Sequence, residues 1–228
     1  WAETTDISPL GATLIGLALI AGPIGKCAQF PLHLWLDEAM EGPNPASILR
    51  NSVVVTVGAY ILIKVHPILY LSPVVTTTLM VIGTVTAIGA TLVSIAQIDI
   101  KRTISYSTSA YLGLVFIAVG AKWISFAFFL LFAHAIAKAL IFMSVGCVII
   151  TTNNQDVTEF GGLAKSMPAT TIAYIVGALA MTGVFPLGGF WAFQEGFEAL
   201  SLDYPWAIWT ILFVNGLTTF NLARVFGL

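Results

Sequence analysis

Charge is what this chain has least of. Only 9% of its 228 residues are charged, while 58% are hydrophobic and the mean hydropathy is +0.95. A soluble domain is about a quarter charged. A chain of this length cannot hide so much apolar surface in its own core, so lipid must cover the rest. The net charge of −2 is spread thinly and no basic run stands out, which excludes nucleic acid as a partner. Cysteine is scarcer still. Cys27 and Cys147 show neither metal-ligand spacing nor a disulfide framework, and read as small packing residues. Phosphate-loop and dinucleotide fingerprints are missing, as are a cysteine cluster for iron–sulfur and a His/Cys cage for zinc. The chain itself is therefore expected to hold no metal, cofactor or redox centre. It starts at Trp1 without Met or a signal-peptide pattern and stops inside the apolar run Val225-Phe226-Gly227-Leu228. The expectation is the central part of a longer protein.

What is present is a series of apolar runs. A spanning helix needs roughly 20 apolar residues. Seven stretches qualify: Ser8 to Gln29, Pro45 to Val65, Pro73 to Ile98, Thr103 to Gly120, Trp123 to Ile150, Pro168 to Phe193 and Tyr204 to Gly227. This predicts an all-α polytopic membrane protein. The link over residues 30–44 is amphipathic, with Trp35 and Leu36 set against His33, Asp37, Glu38 and Glu41, and is expected at the membrane interface. The links after the first, third and fifth helices share one side. They hold Lys101, Arg102 and Lys165, which leans that side toward the cytoplasm or stroma. Trp1, Trp35, Trp123, Trp191, Trp206 and Trp209 mostly fall near span ends, as an aromatic belt would.

Two spans carry a matching Pro-x-Gly, at Pro23-Ile24-Gly25 and Pro186-Leu187-Gly188. Proline removes a donor and clashes with the preceding turn, so each is a candidate break. Non-helical backbone at membrane depth is tolerated only inside protein or beside water. Paired interruptions in two halves of an apolar chain point to a transport axis, although two unrelated kinks would look the same.

Basic groups sit within or beside these spans: Lys26, Arg50, Lys64, Lys101, Arg102, His134 and Lys138. An ionisable group in hydrocarbon is costly, and its default reading is an ion, proton or substrate path. Lys26 follows the first break. A partly dry lysine exchanges its proton near neutral pH, whereas a lysine at a helix end also snorkels to the interface. His134 and Lys138 are four residues apart, share one helix face and read as a relay rather than as packing. Arg50 and Asn51 open the second span. Arg50 stays protonated, so it suits a gate, an anion contact or a headgroup anchor. Asp99 is a candidate N-cap of the fourth span, with Lys101 and Arg102 reading as boundary cations facing headgroups.

The order of motifs is more specific than any one residue. Gly25-Lys26-Cys27-Ala28-Gln29-Phe30-Pro31-Leu32-His33-Leu34-Trp35-Leu36, followed by Ala39-Met40-Glu41-Gly42-Pro43, resembles the G-K-S-A-Q-F-P-L-H-x-W-L block of the antiporter-like subunits of respiratory and photosynthetic complex I. Asp99-Ile100-Lys101-Arg102 with Tyr106-Ser107-Thr108 resembles that family's D-I-K-R-x-x-A-Y-S-T block, and His134 to Phe142 its H-A-x-x-K-A-x-L-F helix. The resemblance covers nearly the whole chain. It implies an inverted-repeat antiporter-like bundle with two broken helices, at Pro23/Gly25 and Pro186/Gly188. It also implies a proton relay through Lys26, Lys101, His134 and Lys138, and places the glutamate partner of Lys26 upstream of Trp1. The parent assembly would be a quinone oxidoreductase and translocase. Quinone and iron–sulfur clusters would lie in its other subunits.

Two departures qualify the resemblance. The second broken helix reads Gly189-Phe190-Trp191-Ala192-Phe193-Gln194-Glu195, where the family has G-F-x-S-K-D-E, so Phe193 stands at the usual exit lysine. Ser47-Ile48-Leu49-Arg50-Asn51 replaces S-x-L-I-H, so Asn51 stands for a relay histidine. With the wording of Glu41 to Ser47, these departures resemble the NdhF-type subunit of the cyanobacterial thylakoid complexes specialised for CO2 uptake. That resemblance implies electron flow from ferredoxin to plastoquinone, an NdhD-type neighbour, surrounding lipid and a peripheral CO2-hydrating partner that itself carries zinc. A multisubunit cation/proton antiporter and a non-conducting scaffold remain as alternatives. Retained Lys26, His134 and Lys138 argue against the scaffold, and Phe193 argues for it.

Overall fold

A computed structural model describes residues 7–227, and residues 199–202 by their backbone only. Trp1 and Leu228, singled out above, lie outside the described residues. The chain is helical and the described residues include no strand, only an isolated antiparallel bridge between Asp99 and Asp156. In order come α1 (Pro9–Lys26), α2 (Leu34–Glu38), a 3-10 turn (Ala39–Glu41), α3 (Asn44–Leu49), a π segment (Arg50–Val54) and α4 (Thr56–Leu69). They are followed by α5 (Pro73–Ala96), α6 (Ile100–Gly120), α7 (Ile124–Thr152), a 3-10 turn (Val157–Glu159), α8 (Leu163–Ser166), α9 (Pro168–Thr182), α10 (Gly188–Asp203) and α11 (Pro205–Gly227).

Among the described residues six helices are long and apolar enough to cross a membrane, taking Asn44–Leu69 as one. The sequence suggested seven. The difference lies in Pro168 to Phe193, which is two helices separated by residues 183–187. Gly183 ends α9 at φ +85, a left-handed value that a side chain resists, and Pro186 inside the gap cannot donate to a helix. Pro186 and Gly188 thus mark a real break.

The first break is displaced from its expected position. α1 runs through Pro23 and Gly25 to Lys26, and the helix is left at Cys27 and Ala28, the latter at φ +49. The open segment covers residues 27–33, before α2. The corresponding tripeptides are therefore Phe30-Pro31-Leu32 and Phe185-Pro186-Leu187, and in both the Phe–Pro peptide is cis. Aligning Pro23 rather than Pro31 with Pro186 puts the repeat eight residues out of register. A proline is compatible with a helix when the surrounding bundle satisfies the freed backbone, so its presence alone did not locate the break.

α6 is the centre of the bundle, and nearly all its side chains are buried. It is also the most polar of the long helices, holding Ser105, Tyr106, Ser107, Thr108, Ser109 and Tyr111. Neighbouring helices shield these hydroxyls from lipid. α5 packs on it so closely that a Cβ at Gly83 would meet the Gly113 carbonyl oxygen at 2.5 Å, and a Cβ at Gly113 the Gly83 oxygen at 2.6 Å. Small residues at such a crossing let two backbones touch, which is how helices gain contact where lipid competes for apolar surface. The links preceding α6 and following α7 meet as expected on one side. Ile100 N donates to Gln155 O at 3.0 Å, and Val157 N to Ile98 O at 2.9 Å.

Candidate functional site: a buried lysine and histidine between two broken helices

α7 carries His134 and Lys138 on its inward face, against α6. Lys138 is wholly buried, and its ammonium donates to the Ile104 carbonyl at 2.7 Å and to Ser107 Oγ at 2.5 Å. Ser107 Oγ in turn donates to Ile104 O at 2.8 Å. An ammonium has three donors, and this geometry uses two. His134 is 2% exposed and, among the described residues, neither ring nitrogen has a partner. Burying an unpaired polar group costs about 1–3 kcal/mol by protein mutational data, so such a site is favourable where a water or a transferable proton completes it. His134 stacks on Tyr111 of α6, with ring centroids 5.6 Å apart.

The Tyr111 hydroxyl reaches the second break. It lies 2.6 Å from Met181 O, in the last turn of α9, and 2.9 Å from Asn215 Oδ1 on α11. Asn215 Nδ2 donates to Thr182 O at 3.0 Å. The last carbonyls of a helix have no partner within it, and here two of them are met by side chains of α6 and α11. Phe193 of α10 is buried, lies edge-on to Tyr111 at 6.3 Å and sits against Gly183, where a Cβ would meet its ring at 2.7 Å. The position of the usual exit lysine is thus an aromatic contact.

The turn that follows α2 is held by cations, and the open segment of the first break by amides. The Ala39–Glu41 turn, with Gly42, presents a row of carbonyls. Arg50 donates to Ala39 O at 2.6 Å, and Lys101 to Gly42 O at 3.0 Å and Met40 O at 3.4 Å. Cations at a helix C-terminus satisfy its free carbonyls and its dipole. Lys101 is 4% exposed, so it does not face headgroups as a boundary cation would. Arg102 stays partly exposed and pairs at the surface with Asp37 at 3.5 Å and Glu41 at 3.3 Å. Burial pushes the Asp37 carboxyl up from its ordinary value, although nearby Arg102 acts the other way. Asp99 does cap α6, accepting from Arg102 N at 2.9 Å. The amphipathic stretch over 30–44 becomes α2 and its 3-10 turn, with Leu36 and Met40 buried and α2 packed on α6.

Gln29 is buried and donates to Cys27 O at 2.9 Å and to Ser109 O at 3.1 Å, tying the open segment to α6. Asn51 lies in the π segment, buried, donating to Ser47 O at 3.1 Å while its Oδ1 has no partner among the described residues. Such one-turn π bulges recur at functional sites. Lys26 is placed differently from the expectation. It is exposed at the C-terminal end of α1, and among the described residues its ammonium has no hydrogen bond or ion pair. The structure brings His134 and Lys138 together, joins Lys101 and Arg50 at the turn that follows α2, and leaves Lys26 at the end of α1, outside both groups.

Sequence reasoning missed Tyr111, Ser107, Asn215, Asn221 and Arg224. Asn221 donates to Ser94 Oγ at 2.7 Å, and Arg224 to Ile95 O at 2.6 Å and Gln97 O at 2.9 Å, closing the end of α5. A signal was there: Asn215, Thr218 and Asn221 recur every third residue, a polar stripe on an otherwise apolar helix.

Residues 3–219 match the family model described as NADH:quinone oxidoreductase/Mrp antiporter, transmembrane. The chain is 60% identical, over 99% of its length, to NAD(P)H-quinone oxidoreductase subunit 5 of the Paulinella chromatophora chromatophore, of which it covers 37%. It is 40% identical, over 93% of its length, to NADH-ubiquinone oxidoreductase chain 5 of Sus scrofa, of which it covers 35%. It thus spans little more than a third of these curated relatives. Among solved structures, the Mrp complex from Dietzia sp. DQ12-45-1b superposes with a TM-score of 0.89 at 27% identity, over 96% of this chain and 25% of that one. Matched over nearly its whole length, with the buried lysine and histidine between two interrupted helices, the chain belongs to the NADH:quinone oxidoreductase/Mrp antiporter family of membrane proteins.

Proposed function

We propose that this chain is the central part of a proton-translocating membrane-arm subunit of a photosynthetic NAD(P)H–quinone oxidoreductase. Lys138 and His134 form its inner proton stations, and Lys101 and Lys26 flank them at the first broken helix. One observation carries the reading: a fully buried lysine one turn from a buried histidine whose two nitrogens are both unpartnered among the described residues. Such a pair is costly in a membrane unless protons or water use it. Ser107, which shares its acceptor with Lys138, is placed to take part in the exchange. The test is acidification of vesicles holding the intact assembly. Lys138→Met, which keeps volume and apolarity, should cut quinone-linked proton movement by about 100-fold or more, the scale of a lost acid–base group. Undiminished acidification by an assembled variant would overturn the reading.

The finer form is the CO2-uptake complex, with electrons passing from ferredoxin to plastoquinone in a thylakoid membrane, an NdhD-type neighbour and a peripheral CO2-hydrating partner. Phe193 in place of an exit lysine and the pair Arg50–Asn51 support it, because both imply a proton opening other than the usual one. Hydration of CO2 releases a proton, and a route through this subunit would carry it away. Arg50 is the candidate gate or partner contact there. Co-purification of the intact assembly should yield a CO2-hydrating subunit, and a complete assembly without one would remove this form.

A second reading, a multisubunit cation/proton antiporter, is favoured by the likeness to the Mrp complex. Sodium-driven proton movement without quinone would support it over the first.

A further inference from the structure

The second break lacks the cation that the family places in it, yet it is connected to the buried pair by a specific side chain. Tyr111 has one hydroxyl proton and two acceptors within reach, Met181 O at 2.6 Å and Asn215 Oδ1 at 2.9 Å. The amide of Asn215 is oriented by its other contact, Nδ2 to Thr182 O, so its oxygen faces the tyrosine. The hydroxyl therefore donates to one acceptor at a time. Its proton has two positions, one directly on the Met181 carbonyl of α9 and one on Asn215, which reaches α9 only through Thr182 O. The ring of the same residue stacks on His134 and meets Phe193, which fills the left-handed turn at Gly183. The state of the break and the placement of the imidazole thus pass through one side chain.

We propose that Tyr111 is a positioning residue that couples the hinge at residues 183–187 to the orientation of His134, with Asn215 as the alternative acceptor of its hydroxyl. When the hydroxyl holds Met181, both last-turn carbonyls of α9 are met and its end is closed on the ring that stacks on His134. When it turns to Asn215, Met181 O loses its donor and the end of α9 is held only through Thr182 O by Asn215, a weaker hold. This rests on the reading of His134 as a proton station. It goes beyond that reading by naming what sets the station's geometry.

The test uses the intact assembly in vesicles. Tyr111→Phe keeps the ring and removes only the hydroxyl. It should lower proton movement by about tenfold, the effect of one lost hydrogen bond at a transition state. Asn215→Leu should lower it similarly, and the double variant should be no worse than the more affected single, because both cut one device. Amide exchange over residues 179–187 should rise in Tyr111→Phe. Coupling is reciprocal, so His134→Ala, which removes the stacked ring, should also raise exchange there. Additive losses, or exchange at 179–187 unmoved by His134→Ala, would overturn the proposal. His134→Ala with normal proton movement would instead remove the reading of the station, so the two failures are distinguishable.

Discussion

The two interrupted helices share a backbone device and differ in what surrounds it. In each, a Phe-Pro-Leu segment leaves the helix, and a tryptophan donates its indole N–H back to a carbonyl, Trp35 to Gly25 O and Trp191 to Pro186 O. Between the first break and α3 stand Arg50, Lys101 and Arg102, with Lys26 at the end of α1 before the break. The three cations are fastened to α2 and the turn that follows it: Arg50 and Lys101 to the carbonyls of Ala39, Met40 and Gly42, and Arg102 to Asp37 and Glu41. Around the second stand Tyr111, Phe193, Trp191 and Asn215. The chain leaving the first break is thus met by charge aimed at the carbonyls of its next turn, and the second break by aromatic cover with a few neutral donors. Among the described residues only the first arrangement brings lysine and arginine side chains to such carbonyls.

The hardest test of that contrast is to place a cation in the second break. Phe193→Lys puts an ammonium against Tyr111 and Gly183. A charge at the centre of a membrane helix costs about 2.5–3.5 kcal/mol on insertion scales. Reduced assembly and a lower Tm are expected, while Phe193→Met, close in volume, should cost less than about 1.5 kcal/mol. If Phe193→Lys assembles with wild-type stability, the second break accepts charge as the turn after the first does and the contrast fails.

Lys101→Met attacks the turn after the first break instead. It strands the Met40 and Gly42 carbonyls, whose loss of a charged donor should cost about 2 kcal/mol. Lys101→Arg should restore part of it, since either cation reaches helix-end carbonyls. Thermal unfolding of the purified assembly checks both, and a silent Lys101→Met would mean the carbonyls have found other donors.

Arg50→Gln should be milder, about 1–1.5 kcal/mol, because one hydrogen bond to Ala39 is lost at a partly exposed side chain. Arg50→Lys should lie between it and the wild type. Carbon uptake measured beside stability separates two roles. If uptake falls while stability holds, Arg50 acts as the proposed gate. If stability falls and uptake per assembled complex stays, Arg50 is a clamp on the half-helix.

Composition made the membrane-embedded, all-helical class legible, and spacing made the pair on α7 legible. A four-residue separation leaves two groups on one face whatever the tertiary structure does. The one-sided meeting of the links at Asp99 and Asp156 followed from span order alone. The register of the repeat did not, because a proline inside a satisfied helix looks like a proline that ends one. The Phe-Pro-Leu pair was visible, but its meaning depends on where φ turns positive, at Ala28 and Gly183. The roles of Lys101 and Arg102 were hidden for a related reason. Their carbonyl and carboxylate partners lie some sixty positions away, at Gly42 and Glu41, and no local pattern links them.

The smallest expected effect is also the cleanest comparison, because it touches what the breaks have in common. Trp35→Phe and Trp191→Phe each keep an aromatic ring and delete one N–H. The acceptor is a helix carbonyl at Gly25 in one case and a loop carbonyl at Pro186 in the other. Each should cost about 1 kcal/mol, the net worth of a typical hydrogen bond. The two need not be equal. Trp35 is half-buried and Trp191 is 52% exposed, so water or lipid headgroups can replace the lost donor more easily at the second site. The order Trp35→Phe above Trp191→Phe is therefore expected in unfolding measurements on the assembled complex. Equal losses would mean that neighbouring subunits cover Trp191. A reversed order would mean that the aromatic cover of the second break depends on this indole more than the first break depends on its own.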